Sequence, residues 1–240
     1  MGWRPPYLLG LFGITAICGL IDAACFLALG GVFAEIMTGN LVLLAFNIGF
    51  GEQVSETISG ISPVHYISAL VCFAVGAVLG GLIVRKGSIR FDRHVGFSLE
   101  LVLLLLATTI AVITNPGHTG PARDVVVALL AVAMGVQNAL LRARGAPDLA
   151  TNVMTLTFTA LIADSTLAGG ENPRWARRGG SILTFVVAAA IGAWLARYGG
   201  RWPLVVATGV FAASLWPLLA SEPPGSSASP PPPAQRYSQR

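Results

Sequence analysis

The chain has 240 residues, of which 54% are hydrophobic and only 11% are charged, and its mean hydropathy is +0.72. A soluble globular domain carries about 25% charged residues, so this composition excludes an ordinary soluble domain. The net charge of +4 does not indicate a nucleic-acid-binding surface, because the arginines stand at the ends of apolar segments rather than in one basic patch.

Six long apolar stretches follow one another along the chain. They are residues 7–30, 64–84, 97–114, 125–141, 181–196 and 202–220. A helix that spans a membrane needs about 20 apolar residues, and inside lipid the backbone must satisfy its own hydrogen bonds. The sequence therefore predicts an all-α, polytopic transmembrane helix bundle with about six spans, in contact with the lipid bilayer.

Two shorter apolar segments, residues 33–50 and 151–168, contain polar interruptions. If they do not cross the membrane there are six spans, and if they do cross there are eight. With six spans, every Lys and Arg except Arg123, Arg197 and Arg201 falls on the side of the N-terminus, whereas eight spans divide them almost evenly. The positive-inside rule favours six spans, because cytoplasmic loops are rich in Lys and Arg. Both termini are then expected in the cytoplasm, and the protein is expected in the inner or plasma membrane.

The two halves of the chain resemble each other. GLIDAACF (19–26) matches GVQNALLR (135–142), and AVGAVL (74–79) matches AIGAWL (190–195), both at an offset of 116 residues. One inserted residue then aligns the two short segments. An internal repeat with three spans in each half would place the second half upside down relative to the first.

The predicted organisation has four parts. They are an N-terminal stub (1–6), a first membrane repeat (7–114), a second membrane repeat (115–220) and a disordered tail rich in Pro and Ser (221–240). The composition of the tail gives it too little apolar surface to form a core.

Two signatures in this chain are similar to those of a known family. GLIDAACFLALGGVFAEIMTGN (19–40) resembles the first signature of the YoaK-type bacterial integral membrane family, a domain of unknown function, and residues 135–164 resemble the second. The resemblance covers roughly residues 10–220. It implies about six spans and no established biochemistry. The second signature often has a Thr-Gly pair where this chain has Thr155 and Leu156, so the second short segment lacks the glycine that would weaken a helix there.

Polar residues inside apolar segments are the candidate site. A carboxylate within a span costs about 3 kcal/mol on insertion scales, so Asp22 is predicted to bind a proton or a cation, with Asn138 at the equivalent place in the second half. Gly39 weakens the first short helix. The candidate binding residues for a small polar solute or ion are Asp22, Thr38, Gly39, Asn40, Asn138, Thr155, Thr157 and Asp164. The alternative is that these residues only pack helices together.

Charged residues near segment ends receive a different interpretation. Glu35 is expected at the water interface, and Arg142 and Arg144 with Asp148 are expected to anchor the topology. Glu100, a turn or two inside its helix, has a weaker claim to a site.

No catalytic, cofactor or metal motif appears in the sequence, so no enzymatic activity, cofactor or metal site is predicted. The leading hypothesis is a small transporter or permease with a polar site inside the membrane. The alternative is a non-transporting scaffold, an assembly factor or a lipid-sensing protein. A mass of 24.9 kDa is compatible with a homodimer.

Overall fold

A computed structural model describes residues 5–50, 62–86, 89–144 and 154–220. In these ranges the chain forms eight α-helices and one short 3₁₀ turn, Thr166–Ala168. The helices are α1 (Pro5–Leu27), α2 (Met37–Phe50), α3 (Pro63–Lys86), α4 (Ile89–Thr114), α5 (Pro121–Arg144), α6 (Met154–Ala163), α7 (Trp175–Ala196) and α8 (Arg201–Ala220). The predicted tail and Asp148 lie outside the described residues.

Six of these helices are long and apolar enough to cross a membrane: α1, α3, α4, α5, α7 and α8. The two others are short. α2 has 14 residues and α6 has 10, which at 1.5 Å per residue gives lengths of about 21 and 15 Å. A hydrocarbon core is about 30 Å thick, so neither short helix can cross it. The prediction of a helical bundle with about six spans and two short membrane segments is confirmed, and eight full spans do not fit.

Contacts between helices establish the direction of each span. α1 runs antiparallel to α5 and α8 and parallel to α7, while α5 runs parallel to α3 and antiparallel to α4. The contacts that orient α1 against α5 are Leu29–Arg123 and Cys18–Gln137, those that orient α1 against α8 are Gly10–Leu218 and Leu29–Gly200, and those that orient α1 against α7 are Gly19–Phe185 and Ala23–Gly192. The contacts between α3 and α5 are Gly76–Val132 and Gly80–Val136, and α4 meets α5 at Gly96–Leu140. The six spans therefore alternate in direction along the chain.

The bundle has two ends, which we name after one arginine each. The Arg123 face holds the ends of helices at Leu27, Pro63, Thr114, Pro121, Ala196 and Arg201. The Arg142 face holds Pro5, Lys86, Ile89, Arg144, Trp175 and Ala220. Because α1 ends and α3 begins at the Arg123 face, the segment that contains α2 starts and finishes there without crossing. The segment that contains α6 does the same at the Arg142 face.

α1 and α5 form the centre of the bundle and are its most buried spans, whereas α3 and α7 are the least buried. Both short helices keep large apolar side chains exposed. These are Leu41, Val42, Phe46 and Ile48 on α2, and Leu156, Phe158 and Ile162 on α6. Apolar surface of this kind is stable against lipid tails, so α2 and α6 are suited to lie within the bilayer.

Glycines allow the close contact between α3 and α5. Gly76 faces the backbone of Val132, and a methyl group added at Gly76 would lie only 2.9 Å from Val132 Cα. Gly135 of α5 meets the backbone of Phe73 and Ala77 in the same way. Without side chains at these positions, the helices gain dispersion contacts that replace the hydrophobic effect inside lipid.

We expect Gly76→Ala to lower the free energy of unfolding by about 1–3 kcal/mol, because backbone atoms of Val132 cannot move aside for the methyl group. Gly209 of α8 is the matched control, since a methyl group added there would meet no atom within 4 Å. Gly209→Ala should leave stability unchanged or raise it by up to about 1 kcal/mol. SDS titration of the purified protein in detergent measures both, and equal effects would contradict this packing.

Candidate functional site

The chain reverses direction directly after α1. Gly30 and Gly31 have φ values of +91° and +74°, which residues with side chains rarely adopt. Arg123, at the start of α5, holds this turn: its Nε donates to the Leu29 carbonyl at 2.6 Å and its Nη2 to the Gly30 carbonyl at 3.4 Å. The Arg123 side chain is 2% exposed and also pairs with Asp124 at 2.5 Å. The turn therefore sends the chain back into the bundle.

Asp22 forms hydrogen bonds with the chain where the chain re-enters the bundle. Its Oδ1 accepts hydrogen bonds from the backbone N–H groups of Ala34 and Glu35, both at 2.9 Å. Asp22 lies in the last third of α1, about 7–8 Å from the helix end at Leu27, so it is nearer the Arg123 face than the centre of the span. The carboxylate satisfies two N–H groups that no helix satisfies, which is a structural role.

Asn40 holds the same loop from the other side. Its Oδ1 accepts from the Phe33 N–H at 2.9 Å, and its Nδ2 donates to the Phe33 carbonyl at 2.8 Å. Gly39 lies against the Phe33 ring, which would be 2.8 Å from an added methyl group. Asn40 and Gly39 therefore pack the loop, at Phe33, against the first turn of α2.

The polar triplet Thr38, Gly39 and Asn40 does not break a helix, although the sequence allows that interpretation. α2 begins at Met37 and continues to Phe50, so the triplet forms its first turn. The interruption lies earlier, in residues 28–36. The physical reason is that Asp22, Asn40 and Arg123 together supply enough partners for a non-helical backbone inside the bundle.

The second short helix is held at its far end. Asp164 follows α6 and forms an ion pair with Arg178 of α7, with 2.7 Å between Asp164 Oδ2 and Arg178 Nη1. The same nitrogen donates to the Ala160 carbonyl at 2.8 Å. Thr157 is buried within α6. α6 therefore runs from Met154, inside the bundle, to the Arg142 face.

The starts of both short helices meet at a cavity of about 860 Å³. It is lined by Glu35, Ile36, Met37, Thr38, Phe73, Ala77, Gly81, Val84, Arg85, Asn138, Ala139, Arg142, Ala143, Met154, Thr155 and Phe185. The cavity extends from Glu35, beside Asp22, to Arg85 and Arg142 near the Arg142 face. Residues 28–36 lie between it and the Arg123 face. Its volume is in the range of small-molecule binding sites.

Three of the predicted site residues line this cavity: Thr38, Asn138 and Thr155. The other five do not line it. They are Asp22, Gly39, Asn40, Thr157 and Asp164. Asp22 and Asn40 position the wall that carries Glu35 and Thr38, so they contribute to the cavity through the loop.

Three charged lining residues are absent from the site that the sequence predicts. Glu35, expected at the water interface, is only 5% exposed because the loop carries it inward to Asp22. Arg142, expected to anchor the topology, lines the cavity one helical turn after Asn138. That i, i+4 spacing with Asn138 is visible in the sequence and could have assigned Arg142 to the same helix face. Arg85 shares a face of α3 with Gly81 and Ala77 in the same way.

Glu100 is fully buried near the middle of α4. Neither of its carboxyl oxygens has a hydrogen-bond partner among the residues that the structure describes. It does not line the cavity, so the sequence-based view that Glu100 is a minor candidate remains untested.

Apolar helices that are long enough to cross a bilayer and that alternate in direction define a multi-pass α-helical membrane protein. The chain belongs to the family described as "Protein of unknown function (DUF1275)", whose profile matches residues 10–216. It is similar to the UPF0700 transmembrane protein YoaK of Bacillus subtilis (strain 168), with 28% identity over 162 residues. This alignment spans 65% of the chain and 65% of that relative. No solved structure matches the chain. The resemblance seen in the two signatures is thereby confirmed.

We expect Asp22→Ala to lower the free energy of unfolding by about 2–4 kcal/mol, because it leaves the N–H groups of Ala34 and Glu35 without their acceptor. Asp22→Asn is the matched control, since its amide oxygen can still accept both hydrogen bonds. It should keep most of the stability of the natural protein. SDS titration measures both variants. If Asp22→Ala is as stable as Asp22→Asn, the loop does not depend on this acceptor.

Proposed function

We propose that this protein is a small permease that moves a polar solute through the cavity between α2 and α6. One observation carries the proposal: two short helices enter from opposite faces and begin at the same cavity. Discontinuous helices whose ends meet at a central site are the arrangement that secondary transporters use to bind solutes at membrane depth. A purely structural bundle has no need for two helices that stop inside the bilayer.

An internal inverted repeat is part of this proposal. Gly19 of α1 packs against the backbone at Phe185 and Ala189, and Gly135, 116 residues later, packs against the backbone at Phe73 and Ala77. The antiparallel directions of α1 and α5 support an upside-down second half. Two related halves could then rock against each other around the cavity.

Orientation is also proposed. Arg85, Arg142 and Arg178 lie at or near the Arg142 face, as do both described chain ends, Pro5 and Ala220. The positive-inside rule places this face in the cytoplasm, in the inner or plasma membrane of the cell. The solute would thus have access to the cavity from the cytoplasm. A homodimer is compatible with this arrangement, and no catalytic step is assigned to the chain.

Asp22 is the proposed proton or cation site within this permease. Its Oδ1 already accepts two hydrogen bonds, whereas its Oδ2 has no hydrogen-bond partner among the described residues. Asp22→Asn should keep the loop and remove the charge. Loss of flux in this stable variant would support a proton or cation role, and unchanged flux would leave Asp22 with its structural role alone.

The orientation predicts a labelling pattern for single cysteines. In a background without Cys18, Cys25 and Cys72, His118→Cys lies in the turn between α4 and α5 at the Arg123 face. Glu171→Cys lies between α6 and α7 at the Arg142 face. A membrane-impermeant thiol reagent added to intact cells should label His118→Cys at once and Glu171→Cys only after permeabilisation. The opposite pattern would invert the proposed orientation.

The permease predicts a solute flux that a bulky side chain blocks. Thr155→Trp should lower that flux at least tenfold, because the indole fills the cavity beside the start of α6. Thr159→Trp is the matched control, since Thr159 is exposed on the same helix and does not line the cavity. Stopped-flow light scattering of proteoliposomes, under gradients of small neutral, anionic and cationic solutes, measures the flux.

The result also separates the two classes of function. If no solute crosses faster than in protein-free liposomes, the permease proposal fails and a non-transporting scaffold, assembly or lipid-sensing role takes its place. If both tryptophan variants reduce flux equally, the solute does not pass through this cavity.

A further inference from the structure

We infer that the cavity binds a small organic acid, a molecule that joins a carboxylate to a hydrogen-bond donor such as a hydroxyl group. This inference rests on the proposed function, because it names the class of solute that the permease would carry. Three observations carry it: the charge of the lining, one buried amide oxygen, and the spacing between the two.

The part of the lining that the structure describes carries more positive than negative charge. Arg85 and Arg142 both line the cavity, and neither has an ion-pair partner among the residues that the structure describes. Glu35 is the one carboxylate in the described lining. This balance favours an anionic group and disfavours a cation.

Arginine also selects the kind of anion. A guanidinium presents its N–H groups in a planar fork that matches the two oxygens of a carboxylate. Arg85 lies at the end of α3 and Arg142 at the end of α5, and these two helices run parallel and in close contact. Both guanidinium groups therefore belong to the same end of the cavity, where a carboxylate can pair with either of them.

Asn138 supplies the second requirement. Its side chain is 6% exposed and lines the cavity. Its Nδ2 donates to the Met134 carbonyl at 2.9 Å, which assigns the other amide atom as oxygen. That Oδ1 is buried without a hydrogen-bond partner among the described residues. A buried acceptor without a donor destabilises the structure, and a hydroxyl group of the solute would satisfy it.

The spacing of the two features limits the size of the solute. Asn138 and Arg142 are four residues apart on one face of α5, about 6 Å along the helix axis. A carboxylate at Arg142 and a donor at Asn138 therefore belong to one small molecule. The remaining wall is apolar and contributes Phe73, Ala77 and Phe185, which suits a short carbon chain.

The two arginines would also appear at this face if they only obeyed the positive-inside rule. That rule concerns charge and makes no demand on Asn138. An inert anchor would bind no solute with a preference for a donor group. Binding selectivity among molecules of equal size therefore distinguishes the site from an anchor.

The test measures equilibrium binding to the purified protein in detergent by isothermal titration calorimetry. Four probes of similar size separate the requirements: lactate has the carboxylate and the donor, propionate lacks the donor, lactamide lacks the charge, and ethanolamine is a cation. We expect lactate to bind at least tenfold more tightly than each of the others. Arg142→Gln should weaken lactate binding at least tenfold, and Asn138→Leu should abolish the preference for lactate over propionate.

Arg197→Gln is the matched control, because Arg197 is exposed just past the end of α7 and lies away from this cavity. It should bind lactate like the natural protein. Size-exclusion elution and thermal melting show whether each variant is folded, and Arg142→Lys serves as the second variant if Arg142→Gln is not. Lysine keeps the charge without the fork, so intermediate binding is expected.

Equal binding of lactate and lactamide, tighter binding of ethanolamine, or no binding of any probe by the folded protein would each overturn the inference. Its failure can be told from failure of the proposed permease. A neutral or cationic solute whose flux Thr155→Trp blocks, without lactate binding, leaves the permease standing. Selective lactate binding without flux supports the site and removes the permease.

Discussion

The Asp22 carboxylate is the group on which the rest of the cavity depends. In lipid, each backbone N–H or carbonyl without a partner costs several kcal/mol, so a chain that leaves its helix inside the bundle needs a substitute acceptor. Asp22 provides that acceptor for Ala34 and Glu35, and Asn40 and Arg123 complete the set for Phe33, Leu29 and Gly30. These contacts allow residues 28–36 to turn inward, and the inward turn lets α2 begin beside the cavity rather than at the membrane surface.

The same residues explain why a charge that is costly in lipid is present. The two backbone hydrogen bonds that the Asp22 carboxylate accepts offset the free-energy cost of burying the carboxylate and the N–H groups of the loop. The polar groups of the loop thus act as one unit with α1 and α5. Arg123 links the two central spans in the same way, since it lies at the start of α5 and contacts the end of α1. The loop of residues 28–36 is therefore held by the two most buried spans of the bundle.

Close helix packing determines where space remains. Glycine contacts bring α3 against α5 and α1 against α7, while the short helix α2 packs on α3 and the short helix α6 packs on α7. The cavity lies where the starts of these two short helices approach, so its polar lining comes from four separate parts of the chain. The charged residues of its described lining, Arg85, Arg142 and Glu35, therefore come together through the assembly of the bundle rather than from any single segment.

The amino-acid sequence by itself determined the class of protein and favoured six spans over eight. The reason is that apolar length and the location of charge are local properties, and these decide which segments enter a bilayer. The sequence also identified Thr38, Asn138 and Thr155, which are polar residues where lipid disfavours them. Only the tertiary structure decided that Glu35, Arg85 and Arg142 line the cavity and that Asp22 and Asn40 support its wall. The physical reason is that the inward turn at Gly30 and Gly31 depends on hydrogen-bond partners from α1, α2 and α5, which are far apart in the sequence. The hydropathy of a segment does not show which backbone group each polar side chain will bind.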